Sequence, residues 1–133
     1  MKVEVLKQFS VFMPNRPGAL SMLARLFSDK GINLLGIASE VRDDSGVVRI
    51  AVAQDVDASA ILSQGGFSSV ETSLLAVDLD DKPGELFRVA RMLADGKINI
   101  TTVYGTAGRN GASRVLLAVE NVQKALALLE NRS

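Results

Sequence analysis

Asn15-Arg16-Pro17-Gly18-Ala19-Leu20, followed by Gly31-Ile32-Asn33-Leu34, returns further along the chain as Asp81-Lys82-Pro83-Gly84-Glu85-Leu86, followed by Gly96-Lys97-Ile98-Asn99-Ile100. Pro17 falls on Pro83 and Asn33 on Asn99 at one offset of 66 residues, with no gap between them. Eleven pairs are identical at that offset: Val11/Val77, Pro17/Pro83, Gly18/Gly84, Leu20/Leu86, Ala24/Ala90, Arg25/Arg91, Asp29/Asp95, Ile32/Ile98, Asn33/Asn99, Val56/Val122 and Leu62/Leu128. Ordinary residue frequencies give about four. Eight of the eleven lie between positions 17 and 33, so the likeness is concentrated in one stretch. The 133 residues are therefore an internal duplication.

Both copies show the same succession of patterns. Phe9–Met13 and Leu74–Leu79 are short apolar runs rich in strand formers, each leading into a Pro-Gly turn. Leu20, Leu23, Leu26 and Phe27, and then Leu86, Val89, Met92 and Leu93, recur at helical spacing and predict one apolar stripe per helix. Gly31 and Gly96 sit where a helix C-cap belongs. Asn33–Val41 and Ile98–Ala107 read as second strands. Asp43-Asp44-Ser45-Gly46 and Gly108-Arg109-Asn110-Gly111 read as hairpin tips, and Val47–Ala53 and Ser113–Val119 as third strands. Asp55 and Asn121 are N-cap candidates for helices carrying Ile61 and Leu62, and Leu126, Leu128 and Leu129. Gly65-Gly66 closes the first of these, and Phe67–Glu71 is a fourth strand. The order β-α-β-β-α-β predicts an α+β protein of two ferredoxin-like units.

The second copy has no fourth strand after its last helix. Phe67–Leu79 carries the fourth strand of the first copy into the first strand of the second, and the offset maps this stretch onto Met1–Met13. Val3 and Val5 alternate with Lys2 and Glu4, as in a half-buried strand. Met1–Val5 is thus expected to complete the second unit, giving units 6–71 and 72–133, the latter taking 1–5. A pseudo-twofold axis is expected between them. Val115–Val119 is apolar on both faces, which predicts cover from the other unit or from a second chain, and hence a homodimer.

With these elements in place, the chain resembles a tandem ACT-domain protein over essentially its whole length. The resemblance rests on a strand, Asp/Asn-basic-Pro-Gly-x-Leu, a helix and Gly-Ile-Asn-apolar, all present twice. The second copy departs with Gly96-Lys97 in place of Lys30-Gly31. The resemblance implies sensing of a small ligand, usually an amino acid, at interfaces between such units, and regulation rather than catalysis.

The same residues have a chemical reading of their own. Pro17-Gly18 and Pro83-Gly84 open helices, whose first N–H groups lack intrahelical partners and suit a carboxylate. Asn15 and Asp81 offer oxygens to an α-ammonium, while Asn33 and Asn99, placed by this reading at the same end of the sheet, both donate and accept. The candidate ligand-binding set is Asn15, Arg16, Pro17, Gly18, Ala19, Leu20, Ile32 and Asn33, with Asp81, Lys82, Pro83, Gly84, Glu85, Ile98 and Asn99. Leu20, Leu23, Leu86 and Val89 read as core, so Leu20 enters the set through the motif alone. Glu85 in a first helical turn repels an anion, which favours the first copy for a carboxylate. An ordinary turn with capping asparagines is the competing structural reading.

Composition removes other classes. The chain has no Cys and no His, so thiolate chemistry, Cys-based metal sites and the commonest general base are excluded. No cofactor and no metal is expected; Asp78, Asp80, Asp81 and Glu85 read as solvated acids. Fifteen basic residues balance fifteen acidic ones, and the third strands carry no aromatic residue, which argues against nucleic acid. Charges at Lys2, Glu4 and Lys7 argue against a leader or anchor, and the cytoplasm is the expected location.

Overall fold

A computed structural model describes residues 1–42, 45–107 and 112–130. The hairpin tips at Asp43, Asp44 and Gly108–Gly111 lie outside the described residues. Strands β1 (Lys2–Pro14), β2 (Gly36–Arg42), β3 (Ser45–Val52), β4 (Ser68–Asp80), β5 (Ile100–Ala107) and β6 (Ala112–Val119) alternate with helices α1 (Ala19–Ser28), α2 (Ala58–Gln64), α3 (Glu85–Asp95) and α4 (Val122–Glu130). The expected fourth and first strands at 67–79 are one continuous strand, β4.

The chain divides into two compact units, Lys7–Thr72 and Met1–Leu6 with Ser73–Ser133. The divisions fall inside β1 and inside β4, so each of these strands serves both units. In the first unit the strands are ordered β2-β3-β1-β4, and in the second β5-β6-β4-β1. Each order is that of a ferredoxin-like βαββαβ unit.

Alternation along the strands sends every second residue to the helical layer. In the 7–72 unit Phe9, Val11 and Met13 of β1 and Val48, Ile50 and Val52 of β3 meet Ala19, Leu23 and Phe27 of α1 and Ala58, Ile61 and Leu62 of α2. In the other unit Leu75, Val77 and Leu79 meet Val89 and Leu93 of α3 and Ala125 and Leu129 of α4, with Met1, Val3 and Val5 packed against them. Each such large side chain contributes about 1.5–3 kcal/mol when fully buried.

Several local readings are corrected. The α1 stripe is Ala19, Leu23 and Phe27, while Leu20 is 52% exposed and Leu86 51%. Neither belongs to the core. α2 is capped by Asp57, whose carboxylate accepts from the Ala60 N–H at 3.3 Å, and not by Asp55. Asn121 does cap α4, accepting from the Lys124 N–H at 3.0 Å. α1 is capped at Asp29, two residues before Gly31. Leu116 and Ala118, the second face of β6, are buried within the single chain, so that strand no longer calls for a second copy.

The ungapped offset also ends at the hairpins. Val41 opposes Gly46, whereas Ala107 opposes Ser113, so the second hairpin is one residue longer. Beyond it the buried residues correspond at 67: Ala58 to Ala125 and Leu62 to Leu129. Val56/Val122 and Leu62/Leu128 are identities of sequence without structural equivalence.

Candidate functional site

The turn from β1 into α1 is built by its own residues. The Arg16 N–H donates to the Pro14 carbonyl at 3.1 Å, and the Ala19 N–H to the Arg16 carbonyl at 3.3 Å. Gly18 is the N-cap, at φ 89° and ψ −14°. This left-handed conformation is one that glycine adopts without a Cβ penalty. A Cβ built there meets nothing within 4 Å, so the glycine serves the backbone angle and not a close approach by the rest of the chain. α1 starts without a side-chain cap; the Ala19 N–H is taken by the Arg16 carbonyl, and the N–H groups that follow it lack intrahelical partners.

Opposite this helix end stand Ser39, Glu40 and Val41 of β2 and Gly46, Val47 and Val48 of β3. With Met13, Pro14, Asn15, Arg16, Ala19 and Leu20 they line a cavity of about 130 Å³. A groove of about 690 Å³ adjoins it, lined by Phe12, Met13, Pro14, Glu40, Ser45, Gly46 and Val47. Glu40 lies 3.8 Å from the Arg49 guanidinium. The arrangement offers a helix end and Arg16 to a negative group and the Asn15 side-chain oxygen to a positive one, beside apolar walls; Glu40 alternates to the other face of the sheet, where it meets Arg49.

Four residues of the expected set, Asn15, Arg16, Ala19 and Leu20, come together on this wall, and Pro17 and Gly18 form the turn behind it. Asn33 does not join them. β2 runs parallel to β1: Gly36 opposes Ala51, which opposes Gln8, while Pro14 opposes Ser45 at the far end. Asn33 therefore lies beyond the Gln8 end of β1, about 20 Å of strand away from Pro14. Ile32 packs against the core.

The corresponding turn of the other unit repeats the backbone and changes the chemistry. Lys82 N–H donates to the Asp80 carbonyl at 2.9 Å, and Gly84 is again a left-handed N-cap at φ 94°. Asp81, Lys82 and Pro83 are exposed. Glu85 takes the place of Ala19 and accepts from Arg88 at 3.0 Å. That hydrogen bond, with the charges of Arg88 and Lys82, holds its carboxyl below the usual value. Its charge is thus partly answered within the helix. Ile98 is buried core. Asn99 is at the opposite end from this turn, donating its amide to Glu120 at 3.4 Å while its carbonyl accepts the Glu120 N–H at 3.2 Å. The pairing of Ile100 with Val119 and of Asp80 with Ala112 fixes that separation. Asn99 thus serves at strand entry, at the end of the sheet away from the turn.

Sequence reading missed Ser39, Glu40, Val41, Val47 and Val48. The available signal was Glu40 itself, an acid in an otherwise uncharged run, Gly36–Val41, leading to the hairpin. Asp78, read as a solvated acid, accepts from Arg114 at 2.8 Å, and Glu4 lies 3.8 Å from the same guanidinium. Asp78 and the hydrogen bond it accepts raise the Arg114 pKa. Among the described residues no group of three or more acidic, His or Cys side chains is placed to hold a metal ion. No helix is long and apolar enough to cross a membrane.

Two ferredoxin-like units, each turning from its first strand through Pro-Gly into a helix, define a duplicated α+β class of fold. The sequence matches the ACT domain pair over residues 4–132, and the chain belongs to that family. No curated protein matches the sequence. Among solved structures it is similar to protein BT0572 from Bacteroides thetaiotaomicron, with a TM-score of 0.87 and 25% identity over 98% of this chain and 90% of that one. The regulatory subunit of aspartate kinase from Thermus thermophilus shares the fold, with a TM-score of 0.69 and 15% identity over 98% and 97% of the two chains. Aspartate kinase from Synechocystis shares it over 98% of this chain and 26% of that one, at 19% identity and a TM-score of 0.67.

Proposed function

We propose that the chain is a regulatory module that binds a free amino acid at the turn between β1 and α1 and carries out no reaction itself. The observation that carries this reading is the cavity at that turn, where a helix N-terminus, Asn15 and Arg16 stand opposite residues of β2 and β3. A carboxylate on the helix N–H groups and an ammonium beside the Asn15 side-chain oxygen use both poles of a zwitterion. Membership of the ACT domain pair family supports the regulatory reading. So does the likeness to a protein described as a regulatory subunit. On this reading the regulatory output reaches a target protein of the cytoplasm. Thermal-shift measurements with each natural amino acid test the reading. One or a few are expected to raise the melting temperature in proportion to the logarithm of concentration. No rise with any of them at millimolar concentration discards it.

A second reading is an interaction module without a ligand. It is favoured by Leu86, Phe87 and Val103, all more than half exposed in the unit that contains α3 and β5. Concentration-dependent sedimentation without any amino-acid response is its signature.

A further inference from the structure

We infer that Lys7-Gln8 is a register lock, the polar pair that decides where β1 passes from one unit into the other. The topology creates the need for one. β2 with β3 and β5 with β6 are hairpin pairs, whose turns set their register. β1 and β4 are neighbours in the sheet with no turn joining them, and each is 13 residues long. Side chains alternate with a period of two, so a slip by two residues returns each of them to its own face. Apolar alternation alone leaves the pairing of these two strands open to such a slip.

Lys7 and Gln8 interrupt the apolar run of β1 at the crossing itself. The division between the units falls between Leu6 and Lys7 on β1 and between Thr72 and Ser73 on β4. Gln8, 3% exposed, is the one buried polar residue among the described residues. On its face of the sheet Leu6 precedes it and Ala51 opposes it, both buried. Its Nε2 donates to the Thr72 Oγ1 at 3.2 Å, so the amide meets β4 at the crossing point of that strand. On the other face the Lys7 Nζ donates to the Val56 carbonyl at 3.2 Å. The places two residues away on the face of Lys7 are those of Val5, packed against one core, and Phe9, buried in the other. A slip carries the ammonium towards one of these places and takes the amide away from Thr72, and both moves are penalised by the burial of a polar group apart from its partner.

The duplicated copy shows that the fold itself does not require an amide here. At the offset of 66, Lys7 falls on Ser73 and Gln8 on Leu74, and Leu74 is fully buried. An apolar side chain therefore fits this place in the architecture, and a buried hydrogen-bonded amide gains little net stability over one. What Gln8 adds is selection of one pairing, as a single buried polar residue does in fixing the register of a coiled coil. The inference holds whether or not an amino acid binds at the β1–α1 turn.

Urea denaturation and two-dimensional amide NMR spectra of Gln8→Leu, of Lys7→Met with Gln8→Leu, and of Thr72→Val test it. Gln8→Leu is expected to keep or raise the urea midpoint and to double or broaden the amide signals of β1 and β4. The edge strands β2 and β5 keep single signals. The double variant, apolar on both faces at the crossing, shows the second set more strongly. Thr72→Val keeps the amide and removes the oxygen it donates to, so it retains one set of signals and lowers the folding equilibrium constant about tenfold. One set of signals in the double variant overturns the inference. A Gln8→Leu midpoint well below that of the wild type also overturns it, because the amide is then a source of stability and not of selection. So does a Thr72→Val chain as stable as the wild type.

Discussion

Gly31 and Lys97 occupy the same place in the two units and the same left-handed conformation, at φ 67° and 60°. Only the lysine carries a Cβ into it. Left-handed backbone costs such a residue about 1–2 kcal/mol, and the entropy of a new glycine offsets about half. Lys97→Gly is therefore expected to stabilise the protein by about 0.5–1 kcal/mol, and Gly31→Lys to destabilise it similarly, as read from urea midpoints. The same angle argument governs the binding turn. Gly18 is left-handed, so a β-branched residue there strains the fold and cannot serve as a clean probe of ligand access. Ala19→Glu is no cleaner, because Ala19 is buried. The Pro-Gly turns were legible because they depend on local backbone preferences. The place of Asn33 and Asn99 was not, because the end of the sheet a residue occupies depends on strand direction, set by pairing with residues such as Ala51 and Val119 far along the chain.

At the scale of elements, the sequence pattern located every helix and strand, and its errors concern edges and register. The one-residue difference between the hairpins left the 66-residue repeat looking intact through chance identities, and Asp57 has no counterpart at that offset because α2 starts about one turn later in its unit than α4 does. Asp57→Ala and Asn121→Ala are each expected to cost about 1 kcal/mol, with Asp55→Ala near zero, in chemical denaturation. The start of α3 has a pH signature. Arg88 lowers the Glu85 pKa in the folded state, so this contribution is present above the unfolded value, near ~4.3, and fades as pH falls through the folded one. Melting curves of wild type and Glu85→Gln should therefore differ most near neutrality and converge below about pH 4. Added salt should shrink the difference, since the pair is at the surface.

At the scale of the molecule, β1 and β4 tie the stability of each unit to a strand that also serves the other. Val3 and Val5 pack against the core that contains Leu75 and Leu117. Val3→Ser with Val5→Ser should lower stability by about 2 kcal/mol, and should speed hydrogen exchange in β5 and β6 more than in β2 and β3. Equal loosening of both units would contradict this. The unequal make-up of the units also orders their birth. Residues 7–72 are contiguous, so that unit has all its strands as soon as Thr72 has cleared the ribosome. The other must join Met1–Leu6 to residues synthesised after Thr72. Between the emergence of Glu4 and that of its partner Arg114, translation at ~5–20 residues per second takes on the order of ten seconds. From the emergence of Thr72 until β4 is complete, Val3, Val5 and Leu6 extend from a finished unit as an unpaired strand end.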